Sequence, residues 1–444
     1  MGTHSQLLAH GIGGQQDLPI PAHYAYLGAA AALLVSFGVL AFAWRTSRFR
    51  GDGSGRPLWG WLAELVESSV TRAVVVVLAL LFTAWISMAA IFGQNTLVNP
   101  TFGAVYVALW VGLVPAAIVF GPVYRLCNPL RWIHRGVCRL AGIDRSQGLL
   151  TYPARLGLWP AAFFLLAFTW LELVNPATSA SLPSVRLWFA LLGAFTLLGA
   201  ALYGDTWFAR ADPFEVYSSL VARLSPFGRR NDGVLVLRNP LENLDGMPAL
   251  PGLLGVVSVL FGSIGFDSFK ESPRWLAWAQ QYSEHSTLLN TAALVLFPAV
   301  VYVTFTLASI ATGGLGGIRR GSLPDLLGHS VIPIVVGYVV AHYLSFFVSE
   351  GIAFIQLIGD PLSRGWSLTA WADGIDKYSI YNHPTALAVI KVVSVILGHV
   401  LGVVAAHDRA VRLLPRRHAL VGQLPMLLVM VCYTLTGLWL LLSY

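Results

Sequence analysis

The run Lys391-Val-Val-Ser-Val-Ile-Leu-Gly-His399-Val-Leu-Gly-Val-Val-Ala-Ala-His407-Asp408-Arg409 decides how this chain folds. It is apolar enough to cross a bilayer, yet it holds a lysine, a deeper histidine and a closing His-Asp-Arg triplet. Ionisable groups at membrane depth are costly and face a bundle interior, a cavity or a ligand. A second such histidine, His342, stands on the preceding apolar run.

Outward from this stretch the composition agrees. Of 444 residues, 56% are hydrophobic and 11% charged, where soluble domains carry about 25% charged residues. The expected class is all-α, a polytopic transmembrane helical bundle, with residues 1–444 as a single integral membrane domain and the lipid bilayer as its first partner. A net charge of +7 raises nucleic acid as a partner. The basic residues sit in short loops between apolar runs rather than on a folded patch, which excludes it. Cys127, Cys138 and Cys432 form no disulfide framework or CxxC pair. No Lys or Arg precedes Arg45, so the positive head of a cleavable signal is missing.

Apolar runs of about 20 residues span a hydrocarbon core. Ten are read here, near 24–44, 71–93, 103–121, 154–174, 184–203, 250–268, 287–309, 328–349, 384–406 and 422–443. Arginines crowd alternate loops, at 45–72, 125–155, 210–238, 319–320 and 409–417, whereas the intervening loops hold only Arg186, Lys270, Arg274, Arg364 and Lys377. The positive-inside rule makes the arginine-rich side cytoplasmic and both termini external.

The segments outside the spans carry further expectations. The external N-terminal segment, 1–23, has His4, His10 and His23, a candidate copper-type metal cluster or simply a tail. Segments 129–142 and 213–225 read as interfacial amphipathic helices on the cytoplasmic side. In the first, Leu130, Ile133, Val137 and Leu140 recur at helical spacing with Arg131, Arg135 and Arg139 on another side, the pattern of a helix on an anionic leaflet. In the second, Tyr217, Leu220, Val221 and Leu224 face one way. External loop 350–383, with Asp360, Trp366, Trp371, Asp373, Asp376, Tyr378, Tyr381 and His383, is long enough to fold over the outer mouth as a lid. The glycine-rich loop at 313–317 lacks the Lys-Ser/Thr ending of a phosphate cradle.

Punctuation also repeats. Val98-Asn-Pro and Val174-Asn-Pro each open a descending span, and Asn128-Pro and Asp212-Pro each open a loop helix. Asn or Asp before Pro stops one helix and starts another, so part of this likeness is punctuation and part is read as a two-span repeat.

No GxSxG elbow, HExxH helix or paired CxxC is present. Chemistry therefore falls to His342, His399 and His407, with Lys391 and Asp408 beside them. At 1.5 Å per residue, His342 lies roughly 18 Å and His399 roughly 10 Å from the cytoplasmic boundary. Three readings stand: ligands for a divalent metal, with haem behind it; a proton relay or transport pathway that includes Lys391; or interhelical hydrogen bonds alone. Asp267 and Lys270, three apart, are expected to pair at the outer interface. Gly398 and Gly402 allow another backbone to approach closely, and His342 is the expected neighbour of His399. Lys391 is near enough to the outer face to snorkel. His407-Asp408-Arg409 reads as a boundary anchor.

Several motifs resemble those of the polytopic bacterial membrane proteins labelled fenitrothion hydrolase. They are Ala9-His-Gly-Ile-Gly-Gly with Asp17-Leu-Pro-Ile-Pro, Asn128-Pro-Leu-Arg, Tyr152-Pro-Ala-Arg-Leu-Gly-Leu-Trp-Pro-Ala, Ala341-His-Tyr, Asp360-Pro-Leu-Ser-Arg-Gly-Trp, Gly398-His-Val and Ala405-Ala-His-Asp-Arg-Ala. The resemblance implies a multi-pass protein of the bacterial inner membrane. It further implies a hydrolase, or a component of one with a second membrane subunit, that cleaves small apolar organophosphate esters. Histidines 342, 399 and 407 match its recurrent positions, and it assigns none of them a catalytic role. A transporter or channel, or a haem- or metal-binding membrane subunit, fits the same residues.

Overall fold

A computed structural model describes residues 15–312, 319–415 and 421–442. His4, His10 and the glycine-rich loop lie outside these residues. Each apolar run proposed above contains a helix. The helices used below are α1 (Ala22–Ala43), α2 (Ser69–Phe92), the bent pair α3 (Pro100–Val111) and α4 (Leu113–Phe120), α5 (Pro129–Ala141), α6 (Trp159–Leu173), α7 (Leu182–Tyr203), α8 (Pro213–Val221), α9 (Leu253–Lys270), α10 (Ser286–Ala311), α11 (Ile332–Leu357), α12 (Pro384–Leu413) and α13 (Leu424–Leu442).

Among the described residues, eight helices are long and apolar enough to cross a membrane, or nine if the bent pair is one span. α6 falls short of that length, because its 15 residues rise only about 22 Å against a core of about 30 Å. α3 and α4 meet at 46°. The bend follows a π-helical stretch, Gly103–Val111, that ends at Gly112, and π-turns loosen the regular ladder at such bends. The outward faces are greasy. α1 exposes Leu34, Val35, Val39 and Phe42, and only Val76 and Ala89 of α2 are buried. Such continuous apolar surface needs lipid around it.

Where the sequence reads as one domain, the chain packs as two compact units. The first comprises Met1–Gly51, Leu244–Ser349 and Tyr378–Tyr444, and the second comprises Asp52–Asn243 and Glu350–Lys377. α9 is the core of the first unit, buried at every residue from Leu253 to Ser268. Ser258, Gly262 and Ser263 let neighbours close on it. At Gly262 an added Cβ would fall 2.5 Å from the Pro298 Cα of α10.

The second unit holds the repeat. Asn99, Asn128, Asn175 and Asp212 each precede a proline at the first helical position, and each side chain accepts backbone N–H groups as an N-cap. α5 is turned opposite to a surface helix with a charged outer face. It buries Arg131, His134 and Cys138 while exposing Ile133, Val137 and Leu140, the orientation that an apolar surrounding selects. α8 has no free face. All its residues but Ser219 are buried, so the surface helix expected over 213–225 is instead a core helix, because its small and apolar residues pack on α4 and α6. A small antiparallel sheet, β1 (Arg56–Pro57), β2 (Phe227–Arg229) and β3 (Leu235–Leu237), is ordered β1-β3-β2.

The loop after α11 is fixed to its own unit through residue 377. Asp360 caps a turn by accepting the Arg364 and Gly365 amides, both at 2.8 Å. Gln356 donates to the Ala372 and Ile375 carbonyls, and Trp85 of α2 donates to Ile358 O. Asp360 therefore shapes a turn.

Candidate functional site

Five aromatic and polar residues of α9 and α11 build the most chemically loaded cluster in the first unit. Asp267 and Ser268 stand near the end of α9, and Tyr338, His342 and Tyr343 occupy successive turns of α11. All five are buried. His342 Nε2 lies 2.9 Å from Asp267 Oδ2, and its Nδ1 lies 3.1 Å from Ser268 Oγ. Tyr343 donates to Asp267 Oδ2 at 2.7 Å, and the hydroxyls of Tyr338 and Ser268 are 3.1 Å apart. The other Asp267 oxygen, Oδ1, pairs with Lys270 at 2.9 Å, as the i,i+3 spacing suggested.

The ion pair with Lys270 keeps Asp267 a carboxylate, which can only accept. With a neutral imidazole the directions follow. His342 donates through Nε2–H to Asp267, so Nδ1 accepts from the Ser268 hydroxyl, whose oxygen accepts from Tyr338. The result is one hydrogen-bonded path, Tyr338 to Ser268 to His342 to Asp267, with Tyr343 joining at its acidic end. Just past α9, Glu271 is half-buried. Burial and the Asp267 carboxylate push its carboxyl up to about 8, with Lys270 pulling it back.

The other sequence candidates lie elsewhere. Contrary to expectation, His342 does not turn to His399, because α9 supplies better partners. His399 is buried, with Nδ1 2.8 Å from Val395 O of its own helix, and its Nε2 has no hydrogen-bond partner among the described residues. The close crossing of α11 and α12 is nonetheless where the glycines indicated. A Cβ at Gly398 would lie 2.6 Å from Pro333 O, and one at Gly402 would lie 2.7 Å from Ser330 O. Lys391 does not snorkel. It is 4% exposed, and the nearby charge acting on it is Asp17, in a short turn that packs on α12.

His407-Asp408-Arg409 forms a knot at the arginine-rich end. His407 Nδ1 meets Gln423 Oε1 at 2.9 Å and Nε2 meets Trp44 O at 3.0 Å. Asp408 accepts from Trp44 Nε1, Ser47 Oγ and the Arg48 amide. Arg409 holds the Asp245 carboxylate and the carbonyls of Asp245 and Leu326, and Arg412 pairs with Asp245 at 2.6 Å. Both nitrogens of His407 are thus engaged.

A metal shared by His342, His399 and His407 does not fit this arrangement. Among the described residues no group of three or more His, Cys, Asp or Glu side chains could hold a metal ion. The sequence pattern missed Asp267 as the partner of His342, since two residues 75 apart share no local spacing.

In the second unit, Asn128 donates to Asp212 at 2.9 Å and Arg131 forks onto Glu215, with the shorter arm 2.6 Å. Arg131 also pairs with Asp205 at 3.0 Å. Asn128-Pro-Leu-Arg131 and Asp212-Pro-Phe-Glu215 are equivalent in the repeat. The two caps therefore meet each other, and the two residues three further on pair as opposite charges.

No family model, curated protein or solved structure matches the chain.

Proposed function

We propose that this is a ten-span protein of the bacterial inner membrane, with both termini external, that moves protons through the Asp267–His342–Ser268–Tyr338 path as part of solute transport. One observation carries the reading. A buried imidazole has a carboxylate on one nitrogen and a hydroxyl on the other, so it can pass a proton by exchanging tautomers without moving the backbone. Intramembrane ionisable groups in such chains mark proton and ion pathways, and a fully satisfied network holds them in register.

The test is proton flux into liposomes containing the full chain, read by an internal pH dye under an imposed potential. Flux should exceed that of protein-free vesicles and return to that level in His342→Gln and Asp267→Asn. Wild-type flux in His342→Gln would sink the relay.

A second reading rests on the Ser268–His342 contact and on the likeness to fenitrothion hydrolases. Nucleophile, base and orienting carboxylate stand in the order used by serine hydrolases. Ser268 Oγ would attack phosphorus and expel the nitrophenolate oxygen, with His342 taking the hydroxyl proton and passing it to the departing nitrophenolate. Water activated by His342 would then cleave the phosphoseryl ester. The substrate would be a small apolar phosphotriester dissolved in the bilayer, and a second membrane subunit would belong to the active form. Nitrophenol release that disappears in Ser268→Ala favours this reading. Release that persists in Ser268→Ala removes it.

A further inference from the structure

We propose that one flank of α5 is a headgroup site for an anionic phospholipid, with Arg135 and Arg139 gripping the phosphate and Arg125 and Arg145 reinforcing the field. Around this helix, Arg131, His134 and Cys138 point into the second unit, and Ile133, Val137 and Leu140 point out. On a 100° wheel Trp132, Arg135 and Arg139 fall between those faces. They therefore sit where an apolar surrounding gives way to polar protein, the level of a lipid phosphate.

The charges on this flank are unequal. Arg131 is committed to Glu215 and Asp205, and Arg145 reaches only the same Asp205, at 3.6 Å. Among the described residues, no carboxylate lies within ion-pair distance of Arg125, Arg135 or Arg139. The Arg135 guanidinium stacks 4.5 Å over the Trp132 ring, and Trp132 is itself anchored by donation to Leu126 O. Its Nε is buried without an acceptor among the described residues. Burial and the charges of Arg145, Arg131 and Arg125, offset by Asp205, lower the Arg135 pKa. A second anion placed here would relieve that repulsion. Guanidiniums bind phosphate oxygens in pairs, and the exposed Ile133, Val137, Leu140, Leu149 and Leu150 provide an apolar floor for acyl chains. A free phosphate has no use for that floor, so the lipid is the occupant.

The test uses native mass spectrometry of the full chain released from detergent with defined mixtures of phosphatidylglycerol and phosphatidylcholine. Wild type should retain phosphatidylglycerol preferentially. An arginine at an anionic surface contributes roughly fivefold, so Arg135→Gln/Arg139→Gln should lose about 25-fold of the preference. Arg139→Gln alone, at an exposed position that folding does not need, should lose about fivefold. Arg274→Gln, on a different loop, should match wild type. The proposal is overturned if the Arg139 variant keeps the full preference. It is also overturned if Arg274→Gln loses as much, or if millimolar inorganic phosphate displaces the lipid, which would make the site one for free phosphate.

Discussion

The first unit has a histidine–aspartate cluster at each end, and the two are built from different partners. At the arginine-rich end, His407, Asp408 and Arg409 bind the side chains of Gln423, Trp44, Ser47 and Asp245 and, with them, the backbone groups Trp44 O, the Arg48 amide, Leu326 O and Asp245 O. Such bonds fix the path of three separate chain segments. At the other end, His342 binds the Asp267 carboxylate and the Ser268 hydroxyl, both of them side chains. These groups can trade protons while the chain stays still. The same residue types thus serve as a clasp in one place and as a relay in the other. What separates them is the set of backbone groups that ties the first cluster to the chain path.

The sharpest way to break this distinction is Arg409→Ala. The side chain is buried and removes three interactions at once. Breaking a buried ion pair costs about 3–5 kcal/mol, and Arg412 would recover part of it by keeping Asp245 paired. A loss of about 3 kcal/mol in thermal unfolding in detergent is expected. Proton flux in the surviving folded fraction should be unchanged. If Arg409→Ala leaves the melting temperature alone, the clasp is not one.

The α11–α12 crossing sets the distance between the two helices that carry these clusters. Gly398→Ala would bring a Cβ to 2.6 Å from the Pro333 carbonyl. Overpacking of this sort costs about 1–3 kcal/mol, so a fall in melting temperature smaller than that of Arg409→Ala is expected. An unchanged or raised melting temperature would mean that the crossing relaxes freely.

His342→Gln should reverse the balance between stability and function. A membrane hydrogen bond contributes only about 0.6–2 kcal/mol, and glutamine keeps a donor and an acceptor near Asp267 and Ser268. Stability should therefore fall by about 1 kcal/mol while proton flux disappears. A large stability loss with intact flux would make His342 another clasp and remove the contrast between the two ends.

How much of this was legible in the chain itself differs by scale. The helices were, because a span is a local property: twenty apolar residues write it directly. The clasp was half legible, since His407-Asp408-Arg409 sits where an apolar run meets arginines. The close crossing was legible from Gly398 and Gly402. The relay was not. Asp267 and His342 lie on helices far apart in sequence, and Asp267 could be paired only with Lys270, three residues away. The burial of α8 escaped for a related reason. Tyr217, Leu220 and Val221 look amphipathic, and only the packed fold shows that Glu215 on the opposite side is also buried, against Arg131. The equivalence of Arg131 and Glu215 in the two repeat motifs was the available signal.

The smallest expected effect is the finest probe of the relay. Because burial and Asp267 hold the Glu271 carboxyl up at about 8, above its ordinary 4.5, the fold favours its protonated form. Its contribution to stability is full below the ordinary carboxyl range and is lost as pH rises through about 8. Above that pH a second negative charge stands beside Asp267 and competes for Lys270. Wild type should lose melting temperature and proton flux as pH rises from about 4.5 to about 8, the range between the ordinary and the raised value, the stability change being on the order of a few tenths of a kcal/mol after solvent screening. Glu271→Gln, which stays neutral, should show a flat profile in both measurements over that window. If the variant keeps the wild-type slope, the titrating group lies elsewhere and Glu271 has no part in tuning the Asp267–His342 pair.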